Sequence, residues 1–168
     1  MATVQKITPN LWFANEAEDA AKFYVSVFDN SSMGDITTYT AAGQEIHKMK
    51  PGSVMTVEFT LDGQRFIALN GGPVFKFNES VSFVVTCETQ EEIDYYWNKL
   101  SEGGDPHAQV CGWLKDKFGL SWQVVPSMLD KLFTSKNREK KSHVMEVMMK
   151  MKKLDIAELE RAAEGELA

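Results

Sequence analysis

The sequence predicts an α+β fold: two similar βαβββ modules forming a curved mixed sheet around a cavity, with a C-terminal helical extension. Three observations predict it. A segment of period 2 followed by one of period 3.6 occurs twice, at residues 7–28 and again at 82–100. Each time the chain then runs into two alternating segments that flank turn residues. From about Met128 onward only the helical period is left.

The first strand is ITPNLWF, residues 7–13. Ile7, Pro9, Leu11 and Phe13 share one face, and Thr8, Asn10 and Trp12 the other. In the segment that follows, Ala17, Ala20, Ala21, Tyr24, Val27 and Phe28 recur at helical spacing. They mark an amphipathic helix, with Asn15 as its expected N-cap and Glu16, Glu18 and Asp19 in the positive first turn. Residues 29–53 are polar and glycine-rich, so one short strand near Asp35 to Thr40 and a loop are expected. Residues 54–73 then alternate on both sides of Asp62-Gly63, a strong hairpin signal.

The second half repeats the order. Residues 82–87 read as a strand. A helix follows, with Ile93, Tyr96, Trp97 and Leu100 on one face and Thr89 as cap. The polar run SEGGDPHAQ comes next, and residues 110–125 form a second hairpin. Leu11 and Phe13 match Val85 and Cys87. After a one-residue slip, Ala20, Phe23, Tyr24 and Val27 match Ile93, Tyr96, Trp97 and Leu100. Residues 1–134 are therefore taken as one domain with halves at about 5–73 and 79–126, and 135–168 as a helical tail. Met128, Met145, Met148, Met149 and Met151 give the tail a soft apolar stripe, for packing on its own domain or for a dimer contact.

The net charge of −6 lacks the basic face that a nucleic-acid partner requires. No apolar run is long enough to span a bilayer, and residues 1–10 have no leader-like apolar core, so a cytoplasmic protein is expected. Cys87 and Cys111 are the only cysteines, too few for a zinc signature. Reduced thiols suit that compartment, and a disulfide between the two stays open. His47, His107 and His143 are dispersed and read as surface residues, with His47 in the one loop placed to fold over a cavity mouth.

Residues 7–28, 54–73, 75–85, 112–126 and 144–160 resemble the PhnB-like family of the vicinal-oxygen-chelate superfamily, which holds glyoxalases, bleomycin-resistance proteins and dioxygenases. The motifs that carry the resemblance include ITPNLWFANEAEDAAKFYVSVF, VMTVEFTLDGQRFIALNGGP and GWLKDKFGLSWQVVP. The likeness spans nearly the whole chain and implies the same fold and a homodimer. The family also carries the label 3-demethylubiquinone-9 3-methyltransferase-like. A Rossmann methyltransferase needs a glycine-rich turn between a strand and a helix. Here Gly71-Gly72 leads into Pro73 and Phe-Lys-Phe instead.

Superfamily members with known chemistry hold a divalent metal on four strand positions. The resemblance carries these to Thr8, Ala68, Ser82 and Gln123, of which only Gln123 is an ordinary ligand. No metal and no other cofactor is therefore expected. Strand parity aims Thr56, Glu58 and Thr60 at the cavity, with Phe66, Ala68 and Asn70 from the neighbouring strand. From the second half it aims Ser82, Val84, Thr86, Cys111, Trp113, Lys115, Ser121, Gln123 and Val125. The expected substrate-binding lining is Asn10, Trp12, Asn70, Cys111, Trp113 and Gln123, a mixture suited to a small molecule.

Glu58 is the one acid aimed inward. Buried beside Trp12 or Trp113 it would be a raised-pKa general base. Paired with Arg65 or Lys115 at a strand end it would be structural. Cys111 has no histidine placed to serve it and reads as a packed thiol. Asp116 and Gly119 read as turn residues, and Trp122 as packed beneath a helix. Three functions follow. The first is a cavity that binds a small molecule without the superfamily's metal site. The second is a metal-independent isomerase or lyase using Glu58. The third is a dimeric interaction protein working through its tail.

Overall fold

A computed structural model of the chain describes residues 5–165. By its contacts the chain divides into two units, one ending at Lys76 and the other starting at Phe77.

The first unit runs β1 (Asn10–Phe13), α1 (Ala17–Val27), β2 (Ser32–Thr38), α2 (Gln44–His47), β3 (Val54–Leu61) and β4 (Gln64–Asn70). Its four-stranded sheet has the order β1-β4-β3-β2. β1 is parallel to β4, and the other neighbours are antiparallel. Asp62 and Gly63, with φ of 45° and 76°, make the two-residue turn expected between β3 and β4. Val57, Phe59 and Leu61 are buried against α1, whose Ala17, Ala20, Ala21, Tyr24 and Val27 form the buried stripe read from the sequence. Tyr24 lies 6.3 Å from Phe59, and Phe59 stacks on Phe66 at 5.4 Å between ring centroids.

Four local expectations are corrected in this unit. Ile7 is 85% exposed, because the strand begins only at Asn10. β2 starts at Ser32, earlier than Asp35, and its pairing with β3 shifts register twice. Asn15 does not cap α1: Glu16 holds the N-cap position without a side-chain bond. The Ala17 N–H donates instead to Asn70 Oδ1 at 2.9 Å. Finally, Phe66, Ala68 and Asn70 face α1 and not the opposite side. Directly opposed antiparallel residues share a face, and the register pairs Phe66 with Phe59 and Ala68 with Val57.

The second unit runs β5 (Ser82–Cys87), α3 (Gln90–Ser101), a 3-10 turn (Pro106–Ala108), β6 (Trp113–Lys115), β7 (Ser121–Pro126), α4 (Met128–Thr134), α5 (Arg138–Met148) and α6 (Ile156–Glu164). Thr89 caps α3 by accepting the Glu92 N–H at 3.2 Å. Ile93, Trp97 and Leu100 are buried and Tyr96 only partly so. The sheet has three strands in the order β5-β7-β6, with β5 parallel and β6 antiparallel to β7. This module is therefore one strand short of the βαβββ expected of it. The 3-10 turn packs beside β6 at the edge where β2 lies in the first sheet.

Phe83, Val85, Cys87, Leu114, Trp122 and Val124 share the face toward α3, as parity predicts. The tail packs on its own unit. Leu129, Val144, Met148, Leu154, Leu159 and Ala162 form a buried cluster against Cys111, Val125 and Met151. Two backbone bonds of 2.8 Å, from Cys111 N–H to Met151 O and from Gly112 N–H to Lys152 O, tie it to the turn before β6. Gln90 reinforces the joint by accepting the Ile156 N–H at 2.9 Å. Among the described residues no helix is long and apolar enough to cross a membrane.

Candidate functional site

In the first unit, Asn10, Trp12 and Glu58 lie on the sheet face away from α1, paired with Ile67, Leu69 and again Ile67. Trp12 is fixed in place. Its indole N–H donates to Gly72 O at 2.9 Å, and its ring meets Phe75 edge-on at 5.0 Å. A Cβ on Gly71 would lie 2.1 Å from Trp12 Cζ2, so only glycine lets the ring lie down there.

Glu58 is engaged at both carboxylate oxygens by Arg65. Nε donates to Oε2 at 3.2 Å, and Nη2 contacts Oε1. This is the strand-end pairing that the sequence offered as the alternative to a base, while Lys115 finds Glu79 instead. Asn70 is 6% exposed and works as a clamp. Besides the Ala17 N–H, it holds Val54 O through Nδ2 at 3.2 Å, and its own carbonyl accepts the Tyr39 hydroxyl at 2.7 Å. It borders a small cavity of about 260 Å³ with Asn15, Glu18, Asp19, Met49 and Ser53. His47 rests 4.6 Å from the Tyr39 ring. Its Nδ1 accepts the Met49 N–H, so Nε2 carries the proton and donates to Ala42 O at 3.2 Å.

The four positions to which the resemblance carried a metal do not suit one. Thr8 precedes β1, and Ala68, with no donor atom, is fully buried on the α1 side. Ser82 and Gln123 do share a face, but they hydrogen-bond each other, Nε2 donating to Oγ at 2.9 Å. Two neutral oxygens are a poor set for a divalent ion. Among the described residues no three His, Cys, Asp or Glu side chains converge on a point.

The second unit holds a cavity of about 470 Å³, within the range of small-molecule sites. Its walls are Ala108, Val110, Trp113, Leu114 and Met149; its polar features are Glu79, Cys111, Lys115 and Ser121.

Cys111 reaches it from a tight turn rather than from the strand expected. Val110 and Trp113 bond each other in both directions, at 3.1 and 2.8 Å, and the residues between them are both left-handed, Cys111 at φ 53° and Gly112 at φ 82°. Glycine, asparagine and aspartate are the usual occupants of such a turn. The Cys111 sulfur lies 3.8 Å from Met149 Sδ, and burial pushes its thiol above the ordinary value. Cys87, fully buried beneath α3, is pushed up to about 11 by burial and then by the charge of Glu92. Both cysteines are free.

Ser121 is the unusual polar group. It is 1% exposed, and among the described residues its hydroxyl is the buried side-chain polar atom with no hydrogen-bond partner. Lys115 is its register partner, so ammonium stem and hydroxyl lie side by side on one face. Asp116, one residue on, points the other way. Its carboxylate accepts the N–H groups of Phe118 and Leu120 at 2.8 and 3.1 Å and the Trp122 indole N–H at 2.8 Å. That makes it the turn residue expected, and it explains its burial.

Of the expected lining, Cys111 and Trp113 thus meet at this cavity. Gln123 sits on the same face bonded to Ser82, whereas Asn10, Trp12 and Asn70 belong to the first unit. Glu79 and Met149 were missed. Glu79 lay in an unpatterned loop with no local signal, and Met149 was visible only as one methionine of the tail stripe.

Comparison with known proteins fits this architecture. The family described as 3-demethylubiquinone-9 3-methyltransferase matches residues 5–125. The structure of a putative 3-demethylubiquinone-9 3-methyltransferase, PhnB protein, from Bacillus cereus is 39% identical and covers 73% of this chain and 100% of its own, with a TM-score of 0.61. The fosfomycin resistance protein FosX from Listeria monocytogenes is 11% identical over 79% of this chain and 100% of its own; its TM-score of 0.52 speaks to the fold alone. No curated protein sequence matches. The chain belongs to the 3-demethylubiquinone-9 3-methyltransferase, or PhnB-like, family.

Proposed function

We propose that the protein binds a small, mostly apolar molecule in the cavity of its second unit and does so without the superfamily's metal site. The observation that carries this reading is the Ser121 hydroxyl, buried at the wall of an apolar cavity with no partner of its own. A buried hydroxyl left unbonded costs about 1–3 kcal/mol, which a ligand acceptor or donor would recover. Val110, Trp113 and Met149 supply contact area, with Met149 able to adapt to shape. A base role for Glu58 asks its carboxylate to part from Arg65, so binding is the preferred reading.

The test is a screen of small aromatic and aliphatic compounds by tryptophan fluorescence and thermal shift. Saturable binders that weaken at least tenfold in Ser121→Ala support the reading. A screen whose hits bind Ser121→Ala and Trp113→Ala as well as the native protein overturns the site. Elemental analysis tests the other half, because a stoichiometric bound metal overturns the metal-free reading. The homodimer belongs to the same proposal, and a monomer mass by light scattering at high concentration would remove it.

A further inference from the structure

Resting on that cavity, we infer that its ligand is a monoanion, a molecule with an apolar body and one carboxylate, and that Glu79 holds the carboxylate's place until it binds. Three features converge. Lys115 Nζ forms an ion pair with Glu79 Oε1, and both residues line the cavity. The two are unequally held: the Lys115 side chain is 25% exposed and rooted in β6, whereas Glu79 is 62% exposed on the loop before β5. Ser121, register partner of Lys115, lines the same cavity, and its buried hydroxyl has no hydrogen-bond partner among the described residues.

An arriving carboxylate would replace the Glu79 oxygens on Lys115 with its own and accept the Ser121 O–H with a second lone pair. It exchanges one ion pair for another and adds a bond to Ser121. A neutral alcohol of the same shape can still meet the Ser121 hydroxyl but gains no ion pair with Lys115. Lys115 holds the Glu79 carboxyl below the usual carboxylate range, so Glu79 occupies the place as an anion. It is therefore a competitor, and removing its charge favours the ligand.

The probes are 4-phenylbutyrate and its neutral counterpart 4-phenylbutanol, titrated against the full chain by calorimetry. The acid is expected to bind at least tenfold tighter than the alcohol. In Glu79→Gln the acid should tighten several-fold while the alcohol is unchanged; in Lys115→Met the preference should vanish, with thermal melts showing both variants folded. Equal affinity of acid and alcohol in the native protein, or a Glu79→Gln variant that binds the acid more weakly, overturns the anion inference and leaves the cavity reading standing. If neither probe binds, both fall. Because Glu79 is an exposed loop residue, its variant remains a valid test should Lys115→Met not fold.

Discussion

The two units share the order strand, helix, hairpin, yet they differ at one edge of the sheet. In the first, β2 pairs with β3 through two register shifts, and Thr37 bonds Thr56 across that edge. In the second, that edge has only a 3-10 turn, and the tail supplies the missing cover from a distance in sequence. Cover by helices is less complete than cover by a strand, because it supplies side chains but no ladder. The cavity lies in this second unit, with Ser121 of the central strand β7 in its lining.

The largest test of this equivalence is at the helices. Tyr24 and Trp97 occupy matched, buried positions. Tyr24→Ala and Trp97→Ala should each cost about 3–5 kcal/mol in urea unfolding. A cost below about 1 kcal/mol in either would break the match between halves.

Next come the two buried polar clamps. Asp116→Ala strands three donors and should cost about 3 kcal/mol, whereas Asn70→Ala frees fewer groups and should cost about 1–2 kcal/mol. The reverse order in melting temperature would show that the first hairpin depends on its clamp more than the second.

A pH series sharpens the contrast further. The Cys87 thiol rises from 9.0 to about 11 on folding, so the native state keeps a proton that the unfolded chain gives up. This contribution is intact below pH 9 and is lost as the pH climbs from 9 to 11, by roughly 2–3 kcal/mol. Cys87→Ala should flatten that part of the stability curve, and an unchanged slope would assign it to other groups.

The smallest effects belong to the faces away from α1 and α3. Glu58→Gln removes an ion pair with the Glu58 side chain 35% and the Arg65 side chain 44% exposed, and Gln123→Ala removes one part-buried bond. Each should change stability by less than about 1 kcal/mol. A larger loss for Gln123→Ala would show that the Ser82 bond anchors β5 to β7.

The strands, the helices and the first hairpin were legible because each is encoded in local periodicity. The parity error at β4 was avoidable: a two-residue turn pairs Leu61 with Gln64, and counting back from there puts Phe66 with Phe59. Asn70 as a helix cap was less accessible, since the N–H it satisfies lies 53 residues away. The same holds for the cavity. Lys115 and Ser121 were visible as neighbours on one face, but Glu79 and Met149 join them only through tertiary packing. The lost strand had a faint trace in SEGGDPHAQ, which offers no alternating run to pair with β6.

The Cys111 turn has a consequence for how this protein would respond to selection for heat tolerance. A left-handed conformation costs an ordinary L-residue about 1–2 kcal/mol, and asparagine bears it more easily. Cys111→Asn should therefore raise the melting temperature, and would at the same time replace the sulfur at the cavity wall with an amide. A hardened variant chosen for robustness alone would drift toward that substitution, trading the soft wall of its pocket for a better-fitting bend.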